Sequence, residues 1–145
     1  MSDSGVISIN SKETWQLMQD NPKAILIDIR SEMEFLFIGH PKGAIHVPWI
    51  DEPDWIVNPR FVPEVRKVML GGLVHDPDDT EMEVVPVLLI CRSGRRSLEA
   101  GKALIKGGFT KVYNVSDGFE GPLDDNHHRC SISGWRFEGL PWEQC

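Results

Sequence analysis

The segment Val84-Val85-Pro86-Val87-Leu88-Leu89-Ile90-Cys91-Arg92-Ser93-Gly94-Arg95-Arg96-Ser97 joins the most apolar run of the chain to a cluster of three arginines. Val84 to Ile90 is too short to span a bilayer and contains Pro86, and it reads as the strongest strand of the chain. From Ser97 to Lys106 the residues Leu98, Gly101, Ala103, Leu104 and Ile105 make an apolar helical stripe, stopped by Gly107-Gly108. Cys91 therefore stands on a loop between a buried strand and a helix start. Such a loop points several backbone N–H groups into one concavity, and the helix dipole adds to their pull on a negative charge. A thiolate is the reactive form of cysteine, and it is favoured there, with Arg92, Arg95 and Arg96 close by. Gly94 permits the tight curve.

Outward from this junction, Val6–Ile9, Ala24–Ile29, Ala44–Val47 and Val112–Val115 read as further strands. Between them lie helices with recognisable starts. Asn10 with Glu13, and Ser31 with Glu34, have capping-box spacing, and Asn58-Pro59 opens a helix reaching about Leu70. His75 to Glu83 is acidic and reads as an exposed loop. The alternation predicts an α/β domain with a mainly parallel, five-stranded sheet and helices on both faces. Ligands of such sheets bind beyond the carboxyl ends of the strands, where Cys91 falls.

The chain has 145 residues, enough for one domain with one core; 41% are hydrophobic and 26% charged, which argues against disorder. The formal net charge of -7 excludes a general nucleic-acid or anionic-membrane binder, so a bound anion needs a local positive cluster. No secretory signal is read at Met1 to Gly5, and Cys91, Cys130 and Cys145 do not form a disulfide framework. A reducing, cytoplasmic location is the expectation.

Three motifs together resemble the rhodanese family. The first is Leu26-Ile27-Asp28-Ile29-Arg30 followed by Glu34-Phe35. The second is Gly39-His40 with Gly43-Ala44-Ile45-His46-Val47-Pro48. The third is Cys91 to Ser97 with Ala100 and Leu104 on its helix and Gly108-Phe109 to Val115 behind it. The resemblance covers about residues 5–121 of a single domain at 1–145, and 122–145 is expected to be a C-terminal extension on or near the core. It implies a rhodanese fold and a sulfurtransferase. Cys91 would attack the outer sulfur of an anionic donor such as thiosulfate, carry it as a persulfide, and pass it to cyanide, a thiol or a sulfur-carrier protein. No cofactor is needed, because Cys91 is the covalent carrier.

Within this reading, backbone N–H groups from Arg92 to Ser97 hold the persulfide, the Ser93 hydroxyl is a candidate hydrogen-bond donor to the substrate, and Gly94 permits the tight curve. Arg92 and Arg96 are the candidates for gripping the donor, while Arg95 either joins them or points to solvent. Ser97 is a hydroxyl donor or only a helix cap. Asp28, Arg30 and Glu34 are expected to be structural supports. Trp49, Trp55 and Phe119 shape the rim or, more simply, pack as core or lid. His127, His128 and Cys130 lack a fourth metal ligand at a recognisable spacing, so they are assigned to a flexible polar tail with no metal. The pattern departs from the family at Pro41-Lys42, at Asp117-Gly118-Phe119-Glu120-Gly121, and in the long stretch from Trp49 to Glu83. Two other classes compete: a catalytically silent interaction module, and a phosphatase or arsenate reductase of the related fold. The four residues between Cys91 and Arg96 make a smaller ring than the five of the phosphatases and so favour sulfur.

Overall fold

The computed structural model describes residues 5–51, 54–72 and 85–144. The acidic loop expected at 75–83 and Cys145 lie outside the described residues. The chain runs through β1 (Ile7–Ile9), α1 (Ser11–Asp20), β2 (Ile25–Asp28), a π-helical turn (Glu34–Ile38), β3 (His40–Pro41) and β4 (Ile45–His46). It continues through α2 (Phe61–Gly72), β5 (Val87–Ile90), α3 (Arg95–Lys106), β6 (Val112–Val115) and β7 (Trp142–Glu143).

Five strands form one parallel sheet, as the alternation of elements predicts, and their order is β1-β6-β5-β2-β4. From β2 the chain moves outward to β4, and from β5 it moves outward to β6, so the order switches direction between β2 and β5. Asp28 pairs in register with Ile90 at that switch. The crevice opened by two diverging connections is where an open α/β sheet holds a ligand. Asp28, Arg30 and Cys91 all lie at its mouth.

Side chains alternate across the sheet because the strand period is two. Ile27, Ile29, Val87, Leu89 and Cys91 face one side, packed under Phe61, Val65 and Met69 of α2 and Ala100 and Leu104 of α3. Leu26, Leu88 and Ile90 face the other, against Trp15, Leu17 and Met18 of α1 and against Phe119 and Trp135. Local chemistry sets the helix starts. Asn10 Oδ1 accepts from Glu13 N at 2.8 Å while Glu13 Oε1 accepts from Asn10 N at 2.9 Å. Asn58 Oδ1 accepts from Arg60 N at 2.9 Å just ahead of α2.

The part of the tail around His127, His128 and Cys130 differs from the expectation of a flexible polar segment, being held within an ordered extension. Trp135 is fully buried, meets Trp15 edge to face at 6.0 Å between centroids, and donates from Nε1 to Pro141 O at 2.8 Å. Asp124 organises the preceding loop by accepting from Asn126 N, His128 N and Ser131 Oγ. β7 then pairs antiparallel with β3. Two-residue strands, one of them containing a proline, leave no periodicity to read. Their order comes from contacts distant in sequence.

Candidate active site

Cys91 is 1% exposed and sits at the carboxyl end of β5. Its Sγ accepts from Gly94 N at 3.1 Å and from Ser97 N at 3.3 Å, and lies 3.2 Å from Ser97 Oγ. Ser97 is the third residue of α3, whose N-cap, Gly94, gives no side-chain bond. The sulfur thus takes the place of a capping side chain and receives an N–H that the first turn would otherwise leave unpaired. Polarised N–H groups and the positive end of α3 together favour a negative sulfur.

The N–H groups turn inward because the loop's carbonyls are held outward. Cys91 O accepts from Phe119 N at 2.8 Å, and Arg92 O accepts from Glu120 N and Gly121 N at 3.0 and 3.1 Å. Two glycines make this clasp possible. A Cβ on Gly94, at φ +96°, would stand 2.1 Å from Ser116 O, and one on Gly118, at φ +68°, would stand 2.4 Å from Arg92 O. Neither conformation nor space admits a side chain.

The three arginines divide. Arg95 is exposed, and Arg92 is half-buried with no hydrogen bond or ion pair from its guanidinium among the described residues. Arg96 instead donates to both carboxylate oxygens of Glu34, at 2.8 and 3.0 Å. Arg96 therefore braces the loop against the π-helical turn instead of standing free over the sulfur. Burial alone would raise the Glu34 carboxyl, but the Arg96 hydrogen bond and charge, the Ser31 backbone bond and the Arg30 charge outweigh it and hold it at about 2. The Glu34 hydrogen bond in turn raises Arg96, against the effect of burial, and the charges of Cys91 and Asp28 act in the same direction.

Asp28 and Arg30 are both fully buried and bonded to each other, Nε to Oδ1 at 2.9 Å and Nη2 to Oδ2 at 2.6 Å. Arg30 Nη2 also donates to Gly39 O, and its guanidinium lies over the Phe119 ring at 4.5 Å. The pair ties the end of β2 to the residue before β3 and to the clasp that carries Cys91 O. Ser93 is half-buried on the loop. Of the aromatic rim candidates, Phe119 is fully buried and Trp49 packs edge to face on Phe61 at 5.1 Å, while Trp55 is 56% exposed.

Two residues at the site carry no motif of their own. Asn114 is 3% exposed on β6, receives the Ser97 hydroxyl at Oδ1, and donates from Nδ2 to Ser8 Oγ at 3.3 Å. A lone amide in the strand Val112-Tyr113-Asn114-Val115 was the available signal. Asp117 receives Ser11 N and Oγ at 2.9 and 2.8 Å, and Gly134 N at 3.1 Å, which fixes the clasp to α1 and the tail. Cys130 is not brought into the cradle by any hydrogen bond among the described residues. Burial, against the nearby Arg136, pushes its thiol up. No group of three or more His, Cys, Asp or Glu is placed to hold a metal among the described residues. No helix among them is long and apolar enough to cross a membrane.

Residues 10–123 match the family described as Rhodanese-like domain. The solved structure of Rv0390 from Mycobacterium tuberculosis is 37% identical, with a TM-score of 0.77, covering 95% of this chain and 97% of that one. The polysulfide-sulfur transferase homodimer of Wolinella succinogenes is 26% identical at a TM-score of 0.59, over 99% of this chain and 82% of that one. Thiosulfate sulfurtransferase GlpE of Glaesserella parasuis is 30% identical over 113 residues, 78% of this chain and 82% of its own length.

Proposed function

Because the chain belongs to the Rhodanese-like domain family, we propose that it is a sulfurtransferase that carries a sulfane sulfur as a persulfide on Cys91. The observation that carries this reading is the convergence of Gly94 N and Ser97 N on Cys91 Sγ at the start of α3, with Ser97 Oγ 3.2 Å away. In the first half-reaction the Cys91 thiolate attacks the outer sulfur of thiosulfate. A new S–S bond forms, the donor's S–S bond breaks, and sulfite leaves with the electron pair. In the second, an acceptor attacks the outer sulfur of the persulfide and Cys91 departs as thiolate. Cyanide would give thiocyanate. A thiol or the terminal thiol of a sulfur-carrier protein would give a new persulfide. A compartment that keeps thiols reduced, such as the cytoplasm, suits this cycle.

The arginines supply the donor site. Arg92 follows Cys91 in the loop, its guanidinium makes no hydrogen bond or ion pair among the described residues, and its planar fork fits the oxygens of a sulfonate-like group. Arg96 is already held by two bonds to Glu34. That pairing also counts against the phosphatase class, which needs the guanidinium at the end of its loop to clamp a tetrahedral phosphate.

The test is steady-state transfer from thiosulfate to cyanide. The proposal expects thiocyanate and a double-displacement pattern of parallel lines when both substrates are varied, with no appreciable hydrolysis of aryl phosphates. Cys91-dependent aryl phosphate hydrolysis without thiocyanate formation would overturn it.

A further inference from the structure

We propose that Asn114 is a positioning residue that sets the direction of the Ser97 hydroxyl and, through it, the ease with which Cys91 ionises. The inference rests on Cys91 being the nucleophile and goes beyond it by assigning a second-layer control. A line of side chains leads from Cys91 Sγ to Ser97 Oγ at 3.2 Å, from Ser97 Oγ to Asn114 Oδ1, and from Asn114 Nδ2 to Ser8 Oγ at 3.3 Å. Ser8 and Asn114 are register partners on β1 and β6, so the sheet itself holds the outer half of the line. Ser97 is fully buried and Asn114 is 3% exposed, so both must satisfy their polar atoms internally.

A hydroxyl has one proton to donate, and an amide has one end that only accepts and one that only donates. The line therefore has two complete directions. In the observed one, Ser97 gives its proton to Asn114 Oδ1, which leaves Ser97 Oγ as an acceptor for the Cys91 thiol, and Asn114 Nδ2 donates to Ser8. In the other, Asn114 turns its amide over. Nδ2 then donates to Ser97 Oγ, the Ser8 hydroxyl donates to Oδ1, and the Ser97 hydroxyl donates to a sulfur anion. Each direction pairs Ser97 Oγ, Asn114 Oδ1 and one Nδ2 hydrogen, so the reversal leaves neither buried side chain without a partner. The first direction suits the thiol. The second adds a third donor to the two backbone N–H groups on the thiolate or persulfide. Only a side chain with both an acceptor and a donor at its tip, at that position, can serve both directions.

The charged and titratable groups at this pole of the sheet include Arg92, Arg95 and Arg96 on the loop and α3, Asp28 and Arg30 at the end of β2, Glu34 on the π-helical turn, His46 at the end of β4 with its ring Nε2 2.7 Å from Arg30 O, and Asp117 and Glu120 after β6. None of them hydrogen-bonds to Ser97 or Asn114 among the described residues. Their field is therefore separable from the direction of the line.

The experiment measures the pH dependence of Cys91 alkylation, which needs no sulfur chemistry and so can succeed or fail independently of the sulfurtransferase reading. Cys130→Ser with Cys145→Ser serves as the background. In Asn114→Asp the tip can only accept once ionised, so Ser97 stays turned away from the sulfur. The alkylation midpoint should rise by about one pH unit, a roughly tenfold loss of reactive thiolate below it. In a Ser97→Ala background the same change should move the midpoint by much less, because Asn114 acts through Ser97. An equal shift in both backgrounds would assign the effect to the field of the added charge and overturn the proposal, as would no shift in either. If Asn114→Asp does not fold, the Asn114 side-chain amide of the unsubstituted protein decides by NMR. Its Nδ2 protons should exchange their contact with Ser8 for one with Ser97 as Cys91 ionises, and an amide that keeps Ser8 throughout would overturn the proposal.

Discussion

Cys91 and Cys130 hang from the same stretch of backbone and have opposite surroundings. Phe119 N holds Cys91 O, and Glu120 O holds Cys130 N, so residues 119 and 120 anchor both loops. Each cysteine has arginines nearby: the charge of Cys91 acts on Arg96, while Arg136 and Arg129 act on Cys130. Cys91 is the more deeply buried, yet its sulfur receives two backbone N–H groups at the start of α3. Cys130 has burial without such donors among the described residues, and burial pushes its thiol up. Proximity of cations is common to the two loops. What separates them is peptide orientation, fixed at Cys91 by the outward-held carbonyls of residues 91 and 92.

The largest effect should come from Cys91→Ser, which should abolish thiosulfate-to-cyanide transfer, since an alcohol cannot hold the sulfane sulfur. Substantial turnover in that variant would erase the contrast between the loops.

Next in size is Arg92→Ala. Losing a charge-assisted contact worth about 1.5–3 kcal/mol should lower kcat/KM for thiosulfate by roughly one to two decades. Arg95→Ala, at an exposed position, should cost far less. Equal losses would mean that the general positive charge of the loop, not one positioned guanidinium, selects the donor.

Glu34 tests whether Arg96 is a brace. Its folded value of about 2 lies below the unfolded value of about 4.3, so its contribution to stability is full above the unfolded value and is lost as pH falls through about 2. The linked stability is at most about 3 kcal/mol. Glu34→Gln should therefore lower stability at neutral pH and flatten the acid limb of a denaturant-midpoint-versus-pH profile between about pH 4.3 and 2. If Arg96 instead served chiefly to bind the donor, freeing it should raise kcat/KM for thiosulfate. The account expects no gain.

The smallest effect belongs to Cys130→Ser, which should leave both half-reactions within about twofold, below roughly 0.5 kcal/mol. Loss of transfer with loading preserved would make Cys130 an acceptor of the sulfur and reverse its place in the comparison.

How far the sequence disclosed this arrangement depends on how local each signal is. The five strands and the position of Cys91 follow from short apolar runs and from one strand-to-helix junction, and the parallel sheet agrees; the strand order comes from the fold alone. The capping pair Ser31 with Glu34 was legible at three residues' spacing, and Ser31 N lies 3.2 Å from Glu34 Oε1. That the same oxygen also receives Arg96 was not legible, because the partners are 62 residues apart. Trp135 escaped for a related reason: its burial depends on Trp15 and on Pro141 O, not on any periodicity in the tail. Asn114 stood in plain view as a polar residue in an apolar strand. Only the fold puts Ser97 on one side of it and Ser8 on the other.

The central claim, that donor focusing at one loop and not the other decides which cysteine works, is tested most directly by locating the sulfur. The protein is incubated briefly with thiosulfate, alkylated to trap persulfides, digested and read by mass spectrometry. The account predicts one added sulfur on the Cys91 peptide, in the unsubstituted protein and in Cys130→Ser alike, and none anywhere in Cys91→Ser. Added sulfur on the Cys130 peptide, or a trapped persulfide in Cys91→Ser, would contradict it.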